Sequence, residues 1–165
     1  MRANLPVEHV KDAFELTVEP QVDLIMIELN INGGGQIICI TNNREYTWQG
    51  RKYEMIPNSI AGEGVSTQGE AKRPKFTVAN PDGVFSAFIA QGKMDNATIT
   101  RYRLNVQDVL NNINRVQINR WRVSKTMNMS RSMVTFELRS PLDGQFFLIP
   151  ADAFYPPEYP HVSLQ

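Results

Sequence analysis

The residues best suited to chemistry in this 165-residue chain are basic and aromatic, and they come together twice. Glu45 to Pro57 reads EYTWQGRKYEMIP, and Arg120-Trp121-Arg122 sits further along. Cations that neutralise phosphate beside rings that stack on bases are what a single-stranded nucleic-acid surface needs. A strand, however, sends successive side chains to opposite faces. Arg120 and Arg122 then share one face and Trp121 takes the other. In the first stretch Tyr46 and Trp48 align, while Arg51-Lys52 falls at a turn after Gln49-Gly50. Neither stretch forms one stacking platform, and both tryptophans are expected to anchor a core with charged neighbours pointing outward.

Catalytic chemistry has less to work with. His9 lies on an expected helix and His161 in the C-terminal residues, neither with a plausible serine or cysteine partner nearby in sequence. Cys39 is the only cysteine and sits inside the apolar run QIICI, so it reads as a small buried hydrophobe. A lone cysteine excludes a disulfide within the chain and a cysteine-ligated metal site. The glycine-rich stretches NGGGQ and GEGVSTQG lack the Lys-Ser/Thr of a phosphate loop and do not lead from a strand into a helix. Asp108 and Glu137 would need the fold to bring them together. The sequence therefore predicts no enzyme, no metal and no cofactor.

The net charge is zero but unevenly spread. Residues 1–30 carry six acids against Arg2 and Lys11, whereas residues 93–139 carry nine basic residues against Asp95, Asp108 and Glu137. Domains that bind nucleic acid on their own tend to be basic overall. Halves of opposite sign suit a subunit with several protein neighbours, because complementary charge fixes register between surfaces.

The elements that must position these residues are mostly strands. VDLIMIELNI and IICIT, separated by NGGGQ, read as a hairpin. Tyr46 to Tyr53 reads as a second one. KFTVAN is a short strand; Asp82 is placed to cap a helix over GVFSAFIAQG, and Gly92 to stop it. ATITRYRLNV, VQINRWRVSKTMNMS and SMVTFELRS alternate as half-buried antiparallel strands. The alternation puts Trp121, Val123, Met127 and Met129 on one side, and Arg101 and Arg103 opposite Tyr102 and Leu104. Trp121 and Phe136 both fall in the apolar register of neighbouring strands. Residues 57–74 are polar and glycine-rich, and read either as an arm touching a neighbour or as a plain loop. The expected class is mainly β, an antiparallel barrel or sandwich with one or two short helices. Residues 1–150 are expected to form one β-rich domain with an amphipathic helix at about 5–18, and residues 151–165 a proline-rich tail. No apolar run approaches the ~20 residues of a membrane helix, and the acids near the N-terminus argue against a signal peptide.

The order of these pieces resembles the lambda-like phage minor tail protein L family and related tail-tip hub proteins. The matching stretches are YTWQGRKYEMIP (46–57), KRPKFTVANPDGVFSAF (72–88), INRWRVSK (118–125) and FELRSPLDGQFFLIP (136–150), within a likeness spanning roughly 22–150. The resemblance implies a fold of the tail-tube or hub type and a structural subunit at the distal tip of a long-tailed phage. It implies a ring, as a homotrimer, between the tail tube with its distal tail protein and the central hub or fibre protein. DNA would pass through its channel without specific binding, and the protein would reside in the virion tail tip after assembly in the host cytoplasm. Members often continue into a cysteine-rich C-terminal part able to hold an iron–sulfur cluster; ADAFYPPEYPHVSLQ has no cysteine, so no cluster carries over. A ring wall must let DNA slide, which leaves the basic strand residues Arg101, Arg103, Arg120 and Arg122 as expected subunit-interface residues. The alternative is a β-barrel module that binds single-stranded nucleic acid.

Overall fold

A strand apolar on both faces has to be covered on both sides. Val22, Leu24 and Met26 alternate with Ile25 and Ile27, and all are buried. The computed structural model describes residues 20–30, 35–64 and 73–141, together with Val7. Its strands are β1 (Gln21–Glu28), β2 (Ile37–Thr41), β3 (Tyr46–Trp48), β4 (Arg51–Met55), β5 (Asn58–Ala61), β6 (Lys75–Ala79), β7 (Thr98–Asn105), β8 (Gln117–Met129) and β9 (Met133–Arg139). Two short helices, α1 (Val84–Ala90) and α2 (Val106–Leu110), precede and follow β7. The strands form one nine-stranded sheet in the order β3-β4-β2-β1-β7-β8-β9-β6-β5. Pairing is antiparallel except between β2 and β4, so the sheet is mixed.

The two faces of β1 feed two cores. Ile25 and Ile27 join Ile40, Ile99, Phe76 and Phe136 in the larger one, with Phe85 of α1. β1 and β6 lie far apart in the strand order yet share this core, so the sheet curls until its halves face each other. Val22 and Leu24 point the other way and pack with Leu104, Val109 and the β3–β4 aromatics. The fold is mainly β, as expected, and sandwich-like. Among the described residues no closed barrel is formed, because β3 and β5 remain as edges.

Several local expectations hold. β1 and β2 pair from Leu24↔Thr41 to Glu28↔Ile37. Tyr46 pairs with Tyr53 and Trp48 with Arg51 around a two-residue turn. Gln49 and Gly50 both have positive φ, 51° and 71°, as a tight hairpin with matched strand twist requires. Phe136 is fully buried against Phe76, with ring centroids 6.3 Å apart.

Others do not. Met127 and Met129 are exposed, because register shifts between Val123 and Lys125 and between Thr126 and Asn128 interrupt the alternation of β8. Trp121 is only partly buried, at the margin of the larger core. β7 is a central strand buried on both faces, with Ile99 and Thr100 both inaccessible. Asn80, not Asp82, serves the start of α1: its Oδ1 accepts from Phe85 N at 3.0 Å, and Asp82 sits in the turn at φ 54°. Part of the polar stretch is the edge strand β5. The helix expected at about 5–18 (Val7 apart), the glycine turn at 31–34, residues 65–72, the QFFLIP segment and the tail at 151–165 lie outside the described residues.

Candidate functional site

Directly opposed residues on antiparallel strands share a face. Arg101 stands between Ile25 and Asn119, and Arg103 between Asp23 and Gln117. Both therefore lie on the face of the larger core, at the end where its apolar residues give out. Arg120 opposes Thr100 and Arg122 opposes Thr98, which puts that pair on the other face. The four arginines singled out from the sequence thus occupy two surfaces.

Arg101 is 6% exposed, in the middle of the sheet. Its guanidinium forms a two-pronged ion pair with the Glu63 carboxylate, in which Nη2 donates to Oε2 at 2.7 Å. It also lies 5.3 Å from the centre of the Trp121 ring. The Asn119 amide, oriented to satisfy both its ends, accepts from Arg101 Nη2 at 2.7 Å and donates to Ile118 O at 3.0 Å. Arg103 makes a second two-pronged pair, with Nε and Nη2 donating to Asp23 Oδ1 and Oδ2 at 2.7 and 2.8 Å. Beside these pairs opens a polar cleft of about 410 Å³ lined by Asn42, Asn43, Asn58 and Ser59. Arg120 and Arg122 are exposed.

The aromatic hairpin turns inward. Tyr46, Trp48 and Tyr53 are 6%, 4% and 1% exposed, and Trp48 Nε1 donates to Ile113 O at 3.3 Å. Trp48 packs on Tyr102 with centroids 5.3 Å apart and planes tilted by 53°. Arg51 follows the turn onto the Trp48 face and reaches the Met26 sulfur, while Lys52 pairs with Glu45 at 2.9 Å. Rings already packed in a core cannot stack on bases. Burial pushes the Tyr53 hydroxyl well above the ordinary tyrosine value and raises the Cys39 thiol beside it. A thiol raised in this way is a poor nucleophile.

The carboxylates do not form a catalytic pair. Asp108 accepts from Arg115 Nη2 at 2.5 Å, whereas Glu137 is held by Arg73 at 3.0 Å and Lys125 at 3.6 Å. The hydrogen bond from Arg73, with help from Lys125, lowers the Glu137 carboxyl below its usual range. Among the described residues no group of three or more His, Cys, Asp or Glu is placed to hold a metal ion. Sequence reasoning named Arg101 and Arg103 but missed their partners. Asp23 belongs to an apolar run, and Glu63 to a stretch without periodicity; its one signal was an acid between two glycines.

Compared with known families, residues 39–155 match phage minor tail protein L. No curated protein matches the chain. The matched span takes in the aromatic hairpin, both helices and β5 to β9.

Proposed function

Because the chain belongs to the phage minor tail protein L family, we propose that it is a ring-forming subunit of the distal tip of a long-tailed phage. Its role in the viral tail is structural; the finer reading places it between the tail tube with its distal tail protein and the central hub or fibre protein. It surrounds the DNA channel as a homotrimer and is built into the virion from the host cytoplasm. The family match over residues 39–155 carries this reading. Three features of the molecule support it. Among the described residues the outer sides of the edge strands β3 and β5 have no further strand partner and are able to meet neighbours. Arg120 and Arg122 project from the sheet while Arg101 and Arg103 are engaged inside the subunit, so the first two are the interface arginines most available to a partner. Met127, Met129 and Met133 each expose a flexible apolar side chain along the β8–β9 hairpin.

A reconstruction of the intact tail tests the proposal. The expected density for this chain is a three-fold ring at the distal end, around the channel. Finding the chain elsewhere in the particle, or absent from it, overturns the placement. Association with purified tail proteins is expected to survive salt that abolishes single-stranded DNA binding; the opposite pattern would favour the nucleic-acid reading.

A further inference from the structure

Arg101 is the most fully surrounded cation of the described residues, and the surroundings are unequal. On one side are fixed groups: the Trp121 ring and the Asn119 amide, carried by β8, which is paired with β7 at Arg101↔Asn119. On the other is Glu63, which follows the four-residue edge strand β5 and sits between Gly62 and Gly64. Gly62 has φ +80°, a backbone conformation open to glycine, just before the acid. The Arg101 side chain is 7% exposed and that of Glu63 31%, so solvent reaches the pair from the carboxylate side alone.

We propose that Arg101, Trp121 and Asn119 form a receptor for a carboxylate side chain, filled in the isolated subunit by Glu63 and in the assembled tail by an acidic residue of a neighbouring protein. The guanidinium is permanently charged, and its planar fork matches a carboxylate two-pronged. Buried and unpaired it would be strongly destabilising, so the receptor is never left empty. Exchanging one carboxylate for another leaves the number of charged hydrogen bonds unchanged. The polar cleft beside Arg101 supplies the route, and Asn42, Asn58 and Ser59 along it can bond the backbone of an arriving segment. Asp23 is fixed directly opposite Arg103 on β1, whereas Glu63 lies beyond the end of the edge strand β5, which leaves Arg101 as the point where an incoming acid binds. The receptor stands on this geometry; its use in the tail rests on the function proposed above.

The test uses a Trp48→Phe background, in which Trp121 is the sole tryptophan and its fluorescence reports on the site. Glu63→Gln is expected to bind a tetraglutamate peptide at least tenfold more tightly than the protein that keeps Glu63, with no binding of tetraglutamine. Adding Arg101→Lys is expected to abolish the gain. A folded Glu63→Gln protein that ignores tetraglutamate, or binds it equally well with Lys at position 101, overturns the receptor. Should Glu63→Gln fail to fold, Glu63→Asp keeps the charge but shortens the reach, and is expected to give a smaller gain; no gain from that variant overturns the receptor equally. In assembled tails, Glu63→Gln is expected to incorporate normally and Arg101→Lys at least tenfold less. Equal loss in both confines the pair to the subunit and overturns its use in assembly, while peptide binding by a protein found outside the tail tip would count against the tail reading alone.

Discussion

Two aromatics on neighbouring strands show how far residue type and register carry. Phe136 is fully buried on β9 against Phe76, so Phe136→Ala is expected to cost about 3–5 kcal/mol, the range for deleting a core aromatic. Trp121 is only partly buried, so Trp121→Ala is expected to cost less than Phe136→Ala while still lowering the melting temperature, because it also uncovers Arg101. Urea unfolding of both variants checks the order; an unchanged midpoint for Trp121→Ala would show that the ring packs on nothing. Tyr53 gives a pH-dependent prediction. Its hydroxyl is raised above the ordinary value of 10.0 mainly by burial. Above that pH the unfolded chain loses the proton while the folded protein keeps it, so stability is full below pH 10.0 and falls as pH rises toward the folded value. Tyr53→Phe is expected to flatten this alkaline decline, measured as unfolding midpoints at several pH values; an equally steep decline would assign it to other groups. Phe136 was legible because alternation alone places it; for Trp121 alternation gave the face but not its partial exposure. Glu63 was not legible, since nothing local in a polar stretch announces a partner 38 residues away on another strand.

At the scale of elements, turn chemistry was the most legible feature and register the least. Gln49-Gly50 turns the aromatic hairpin, and a Cβ at Gly50 would meet nothing within 4 Å. Gly50→Ala therefore tests backbone conformation in isolation: at φ +71° it is expected to destabilise by about 1 kcal/mol, from left-handed strain. Gln49→Asn, which suits the same turn better, is expected to stabilise by a smaller amount. If Gly50→Ala were neutral in urea unfolding, the turn would not hold the positive φ observed. The hairpin places Tyr46, Trp48 and Tyr53 as the alternation predicts, because its register is set by a turn of fixed length. β8 escaped the same reasoning. Its irregularities after Val123 arise where Ser124 and Met127 have no opposite residue on β9; nothing in the alternation marks these two extra residues, and Met127 and Met129 are left in solvent. The cap of α1 was misread for a related reason. Asp82 is the nearer acid, but Asn80 also donates to Ser86 Oγ at 2.8 Å and to Ser130 O at 3.3 Å, ties that only the folded neighbourhood provides.

For the whole molecule, the sheet divides its cations between two kinds of work. Arg101 and Arg103 of β7 close ion pairs within the subunit, whereas Arg120 and Arg122 of β8 stand exposed on the opposite face of the sheet. A channel for duplex DNA, which carries one charge per ~1.7 Å, cannot be lined by exposed arginines without retaining its cargo. In the proposed ring that exposed face therefore meets a protein neighbour, and the acidic and uncharged polar residues line whatever part of the channel the subunit forms. Reversing Arg120 or Arg122 to Glu is expected to leave the subunit folded, since both side chains are exposed. The same change opposes like charges across the interface, which costs several kcal/mol when the surfaces are complementary. Such variants are expected to produce few complete tails, counted by electron microscopy, while the tails that do form release DNA at the normal rate. Normal tail numbers combined with stalled release would place these arginines on the channel wall instead, and would return the basic face of β8 to contact with nucleic acid.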